Sequence, residues 1–278
     1  MTEDRSPILR LRELASRLRD LRLQAGLTLD EVAVQLMISA PQVSRIETGQ
    51  RSASPRDIRD LCALYGVGEA EREQLMTLAR EAKQPGWWQS FADLAIGRLI
   101  GLETEAARIS TYQSMVIPWA FQTRDYAHAV IRGALPKIED RVLEERVNGR
   151  LIRQKLLTKE NPPRLWALID ESALRRLVGG RAVMREQRER MIELADSPNI
   201  VMQVVPYEAG AHPGIDSTFT LLEFSDPRQR PVVYSESLAG RVYLERPAEI
   251  ARYREALDYL GSCALGVAAS IELIENIN

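Results

Sequence analysis

Gly26, Pro41 and Gly49 leave the stretch between them room for little more than two short helices. Residues 27–49, LTLDEVAVQLMISAPQVSRIETG, divide accordingly. Thr28 can cap a helix, and Glu31 three residues on completes a capping box. Leu29, Val32, Ala33 and Leu36 then recur at the spacing of one buried helical stripe. After a tight turn, Ser39 can cap a second helix whose first turn accepts Pro41, where no amide partner is lost. Val43 and Ile46 face inward, and Gly49 stops the helix.

The flanking sequence extends this into a five-helix bundle. Leu11, Leu14, Ala15, Leu18 and Leu21 predict a first helix over Ile8–Ala25, ended by Gly26. Ser54 and Pro55 open a fourth helix that Gly66 closes, and a fifth covers Glu69–Lys83. Two short helices joined by a turn form a helix-turn-helix, whose second helix fits the DNA major groove. The side chains expected to face DNA are Ala40, Pro41, Gln42, Ser44 and Arg45. Arg45 can donate two hydrogen bonds to guanine, and Gln42 suits adenine or a phosphate. Ala40 and Pro41 offer apolar contact to a thymine methyl. Gln50 and Arg51 follow the helix near the backbone, and Ser39 and Thr28 complete the DNA-facing set. Arg22 and Glu47 each sit one step outside an apolar stripe; they are either two exposed charges or, as the family resemblance given below implies, an ion pair that locks helix 1 to helix 3 with Arg22 close to the DNA backbone.

Net charge, −2, does not mark a nucleic-acid binder, but its distribution fits one. Residues 5–22 hold six arginines against Glu13 and Asp20, and residues 45–59 add four more against Glu47 and Asp57. A basic module on a neutral-to-acidic body is compatible with binding through one face. The apolar runs are too short to span a membrane, and the N-terminus lacks the layout of a secretory signal. Cys62 and Cys263 form neither a disulfide framework nor a metal site. A cytoplasmic, nucleoid-associated protein without cofactor or metal is the expectation.

The 278 residues suggest two domains. Gln84-Pro85-Gly86 is the first strong break, so residues 1–83 are assigned to DNA binding and 84–278 to an effector and dimerisation domain. Residues 84–162 read as mainly helical, although Ala106–Ile117 suits either strand or loop. Residues 163–278 read as strand, helix, strand and then a meander, an α/β domain with a small mixed sheet. The fold class is therefore multidomain, α plus α/β.

Residues 8–66 resemble the Xre family of helix-turn-helix regulators. Leu14, Leu18, Arg22, Gly26, Thr28, Glu31, Ala33, Leu36, Ser39, Val43, Ser44, Ile46, Glu47, Gly49 and Pro55 carry the likeness. The rest of the chain resembles the actinobacterial, WhiJ-like regulators, through Leu102-Glu103, Val116-Ile117-Pro118, Arg153-Gln154, Asp170-Glu171-Ser172, Gly210–Gly214 and Phe219–Phe224. It departs from them at Trp119-Ala120-Phe121, where relatives carry a glycine followed by leucines. The expectation is a homodimeric transcription regulator, such as a repressor, on a pseudo-palindromic operator. The resemblance implies a small partner protein encoded nearby, and an antitoxin-like role as the alternative.

Enzyme chemistry finds little support, and no catalytic residue is assigned. The strand-helix-strand layout is similar to phospholipase D-like sensor domains, whose chemistry needs a histidine and a lysine two residues apart. Neither His128 nor His212 has that lysine. His212, in the loop Gly210–Gly214, either borders a pocket or caps a turn. Glu171 and Glu236 each follow an expected strand; with Asp170 they can share one rim that holds a cation or a basic partner, or else Asp170 or Glu171 caps a helix. Trp87, Trp88 and Trp119 are candidates to line a pocket for a small-molecule ligand or a partner.

Overall fold

The computed structural model describes residues 6–84, 97–227 and 229–277. The chain divides into two compact units, Met1–Trp87 and Trp88–Asn278.

The first unit is helical: α1 (Pro7–Gln24), α2 (Leu29–Gln35), α3 (Ala40–Glu47), α4 (Pro55–Leu64) and α5 (Glu69–Glu81). Leu14, Leu18, Val32, Val43, Ile46, Ile58, Leu61 and Leu75 meet in its core. Local chemistry sets the helix ends. Thr28 and Glu31 form the capping box of α2, the Glu31 carboxylate accepting from the Thr28 N–H at 2.7 Å and the Thr28 hydroxyl from the Glu31 N–H at 3.2 Å. Ser54 and Asp57 form a second box on α4. α1 ends in a Schellman motif, with Gly26 at φ +69° and the Leu27 N–H donating to Arg22 O at 3.2 Å.

The turn from α2 to α3 uses the same motif with an unexpected residue. Ile38 N–H donates to Ala33 O at 3.0 Å and Met37 N–H to Val34 O at 3.3 Å, which places Met37 at φ +55°. A side chain at positive φ crowds the following carbonyl, so methionine here carries strain that glycine would not. Met37 is 92% exposed and gains nothing from the core in return. Ser39 corrects a second expectation. It stands at the N-terminus of α3 with extended backbone, but its side chain makes no capping bond. Its backbone carbonyl closes the first turn instead, accepting from Gln42 N–H at 2.8 Å.

The second unit is built on a six-stranded mixed sheet of order β3-β2-β1-β4-β5-β6. The strands are β1 (Arg108–Gln113), β2 (Arg164–Asp170), β3 (Ile200–Val205), β4 (Phe219–Glu223), β5 (Val232–Ser237) and β6 (Gly240–Leu244). β1, β2 and β3 are parallel; β4, β5 and β6 continue antiparallel from β1. α6 (Gly97–Glu105) precedes β1, and α7 (Arg124–Ala134) and α8 (Asp140–Arg153) lie between β1 and β2. α9 (Glu171–Arg175) and α10 (Arg181–Ala195) link β2 to β3. α11 (Pro247–Cys263) and α12 (Val267–Asn276) finish the chain. One sheet face buries Tyr112, Leu168, Phe219, Leu221 and Val233 against Ile250, Leu257 and Leu260 of α11. The ambiguous segment near residue 109 is thus a central strand, buried from Ile109 to Tyr112. The expected helix near Phe91–Glu105 is α6 where described, and its beginning lies outside the described residues. Among the described residues no single helix is long and apolar enough to cross a membrane.

Two outcomes follow for the first unit. Met37→Gly should raise its stability by about 1 kcal/mol, read as a higher denaturation midpoint of the full-length protein. Capping lowers the Glu31 pKa, chiefly through the Thr28 N–H and then its hydroxyl. The cap therefore contributes fully above the ordinary glutamate range and fades as pH falls through the lowered value. Glu31→Gln should flatten that acid limb of the stability curve.

Candidate nucleic-acid interface

α3 is eight residues long and presents two opposite faces. Val43, Ile46 and Glu47 are buried, whereas Pro41, Arg45 and Thr48 are exposed. At 3.6 residues per turn, positions 41, 45 and 48 fall on one stripe directed away from the core. Arg45 is its cation. Its Nε rests on Pro41 O at 3.2 Å, and it meets no carboxylate among the described residues. Gln42 and Ser44 flank the stripe, half-buried. Ala40 is half-buried against the core, so it offers less to a base than expected. Thr48 was missed in the sequence because it lies where the glycine stop begins; only the helical phase places it beside Arg45.

The other expected contacts sort differently. Ser39 and Gln50 are exposed beside the ends of α3. The Thr28 hydroxyl is committed to its capping box. Arg51 reaches Asp57 at 3.4 Å, so a phosphate would compete with that carboxylate. The basic run of α1 is largely turned inward: Arg10 pairs with Glu81 at 3.0 Å, Arg17 with Glu71 at 3.1 Å, and Arg12 is buried.

Arg22 and Glu47 meet in a two-pronged ion pair. Arg22 Nε and Nη2 donate to the two Glu47 oxygens at 2.8 and 3.0 Å, and Nη1 donates to Leu27 O at 2.6 Å. Both side chains are less than a tenth exposed. Every guanidinium nitrogen is therefore used within the protein, and Arg22 supports α3 from beneath rather than reaching for a phosphate. The Glu47 hydrogen bonds hold the Arg22 pKa above its ordinary value. Tyr65 lies close by, its phenol pKa pushed up by burial and then by the Glu47 charge.

In the second unit the candidate acids do not gather. β2 and β5 end on the same side of the sheet but are separated by β1 and β4, so Glu171 and Glu236 stand apart and each meets its own partners. Glu171 is buried and accepts from Arg175 Nε at 2.6 Å and from the Tyr207 N–H at 2.9 Å. Glu236 lies within β5, accepting from the Tyr234 hydroxyl at 2.6 Å and pairing with Arg241 at 2.8 Å. Asp170 instead joins His212 and Tyr112. Its Oδ2 accepts from the Tyr112 hydroxyl at 3.0 Å and lies 3.5 Å from His212 Nε2; its Oδ1 caps α9 by accepting from the Ser172 N–H at 2.9 Å. The Gly214 N–H donates to His212 Nδ1 at 3.3 Å, so both imidazole nitrogens face protein partners. Gly214 is required here, since a Cβ would stand 2.4 Å from the Tyr112 ring. Among the described residues no cluster of three His, Cys, Asp or Glu could hold a metal.

A family model described as a helix-turn-helix domain matches residues 13–75, the helices just described. A second, described as a domain of unknown function (DUF5753), matches residues 96–276, about two thirds of the chain. The chain belongs to the DUF5753 family. No curated protein matches it. The helix-turn-helix makes the chain a DNA-binding regulator in its N-terminal part.

Within the DUF5753 domain, Trp119 is half-buried under Arg153, whose guanidinium lies 4.1 Å from the ring centroid. Arg153 also pairs with Glu103 through bonds of 2.6 and 2.5 Å, both side chains buried. Trp119 is thus part of a packed polar joint between α6 and α8. Trp87 and Trp88 lie outside the described residues.

Removing one partner of a buried pair leaves an uncompensated charge, at a cost of about 3–5 kcal/mol. Arg22→Leu or Glu47→Leu alone should destabilise the helix-turn-helix by that order in calorimetry of the whole chain. The double variant should recover much of the loss, because two apolar side chains can fill the site.

Proposed function

We propose that this protein is a sequence-specific transcription regulator of the Xre, WhiJ-like kind. It acts as a homodimer on a pseudo-palindromic operator, and the DUF5753 domain supplies dimerisation and the response to a small ligand or a docked partner protein. The observation that carries the reading is the exposed Pro41–Arg45–Thr48 stripe on a helix held from beneath by Arg22 and Glu47. A stripe with one arginine aimed outward suits base readout, which needs a short rigid helix and a forked donor. Ser39, Gln50 and Arg51, exposed beside the ends of α3, supply the phosphate contacts in this reading. Two linked modules on one DNA face raise affinity beyond either alone. A signal would act by shifting the population of dimers whose two α3 helices match the operator spacing.

Arg45→Ala should weaken specific binding by about 1–3 kcal/mol without lowering the melting temperature. Fluorescence anisotropy on a selected duplex measures the first, and thermal melting the second. Wild-type affinity should also fall with salt, with a log–log slope of about −0.9 per phosphate neutralised. Unchanged affinity in a folded Arg45→Ala variant would remove Arg45 from the reading set, and an affinity independent of salt would remove the DNA reading. A small protein that co-purifies stoichiometrically would identify docking as the task of the DUF5753 domain.

A further inference from the structure

Thr48 directs its polar atom inward: Oγ1 donates to Ser44 O at 2.8 Å, on the helix's own backbone. The hydroxyl proton is thereby spent, and the exposed side chain also carries a methyl group that can make only apolar contact. Pro41, also exposed, has no N–H and presents a ring of methylenes. Arg45 lies between them, four residues after Pro41 and three before Thr48. The outward stripe of α3 is therefore one forked donor with an apolar contact on either side.

We infer that α3 reads a guanine flanked by thymine methyl groups, Arg45 taking the guanine and Pro41 and Thr48 the methyls. This rests on the DNA-binding reading above and adds the base composition that the stripe selects. Thymine is the base whose major-groove edge carries a methyl, so apolar side chains there favour it. The helical rise sets Pro41 about 6 Å and Thr48 about 4.5 Å from Arg45 along the axis. Base pairs follow at about 3.4 Å, so both thymines fall within about two base pairs of the guanine.

The test uses the full-length protein and duplexes recovered by selection from a random-sequence pool. Each thymine of a bound duplex is replaced singly by deoxyuracil, which removes the methyl and keeps the pairing. Each of two replacements close to the Arg45-dependent guanine should weaken binding about fourfold, the equivalent of one buried methyl. Thr48→Ser keeps the hydroxyl bond and loses the methyl, and should abolish the thymine preference at one position. Pro41→Ala should reduce it at the other. If uracil duplexes bind as well as thymine duplexes while Arg45→Ala still weakens binding, the methyl assignment falls and the DNA reading stands. If uracil weakens binding equally in wild type, Thr48→Ser and Pro41→Ala, the preference arises elsewhere and the assignment also falls. If selection returns no bound duplex of any composition, the DNA reading falls with it.

Discussion

The two-pronged contact between Arg22 and Glu47 is the constraint on which the candidate reading helix, α3, depends. A helix of eight residues is marginal on its own, because nucleation is costly and few bonds follow it. α3 persists because Val43 and Ile46 are buried and because Glu47 ties its last turn to the end of α1. Two ions taken from water gain little net stability from each other. What they add is direction. A fork of two parallel hydrogen bonds tolerates little rotation, and the further bond to Leu27 O fixes the entry to α2 as well. The outward aim of Arg45 follows from this anchoring on the inner face.

The same logic explains why a chain of net charge −2 can carry a nucleic-acid interface. Most arginines of α1 hold the bundle together through acids of α3 and α5, and contribute little to an external field. Exposed cations that meet no carboxylate among the described residues, such as Arg19, Arg45 and Arg59, are fewer than the arginine-rich sequence suggests. Counting charges along the chain therefore overstates the basic surface and says little about its location. Position in the helical phase decides that.

The DUF5753 domain applies buried polar chemistry to a different end. Asp170 gathers Tyr112, His212 and the first turn of α9, binding the end of β2 to β1 and to the loop before β4. Glu171 ties the same end of β2 to the segment after β3. Glu103, Arg153 and Trp119 fasten α6 to α8. These groups face one another across the elements they join, and satisfied networks of this kind rigidify a core.

Helix placement in the first unit was legible because its signals are local. Gly26, Gly49 and Gly66 mark the stops, and Thr28 with Glu31 marks a start, through bonds between residues three to six positions apart. Met37 escaped notice because a left-handed turn residue is expected to be glycine, and the surrounding bundle forces the exception. β1 was ambiguous because a strand buried on both faces loses the alternation that marks a half-exposed one. The acidic rim imagined from Glu171 and Glu236 failed for a deeper reason: which strands become neighbours depends on how the helices cover the sheet, and no pair of residues in the chain encodes it. Periodicity and capping chemistry act over a few residues, so the amino-acid order alone determined the five helices and the candidate reading helix. Strand order and the company that Asp170 keeps belong to the tertiary structure, because they arise where distant segments pack.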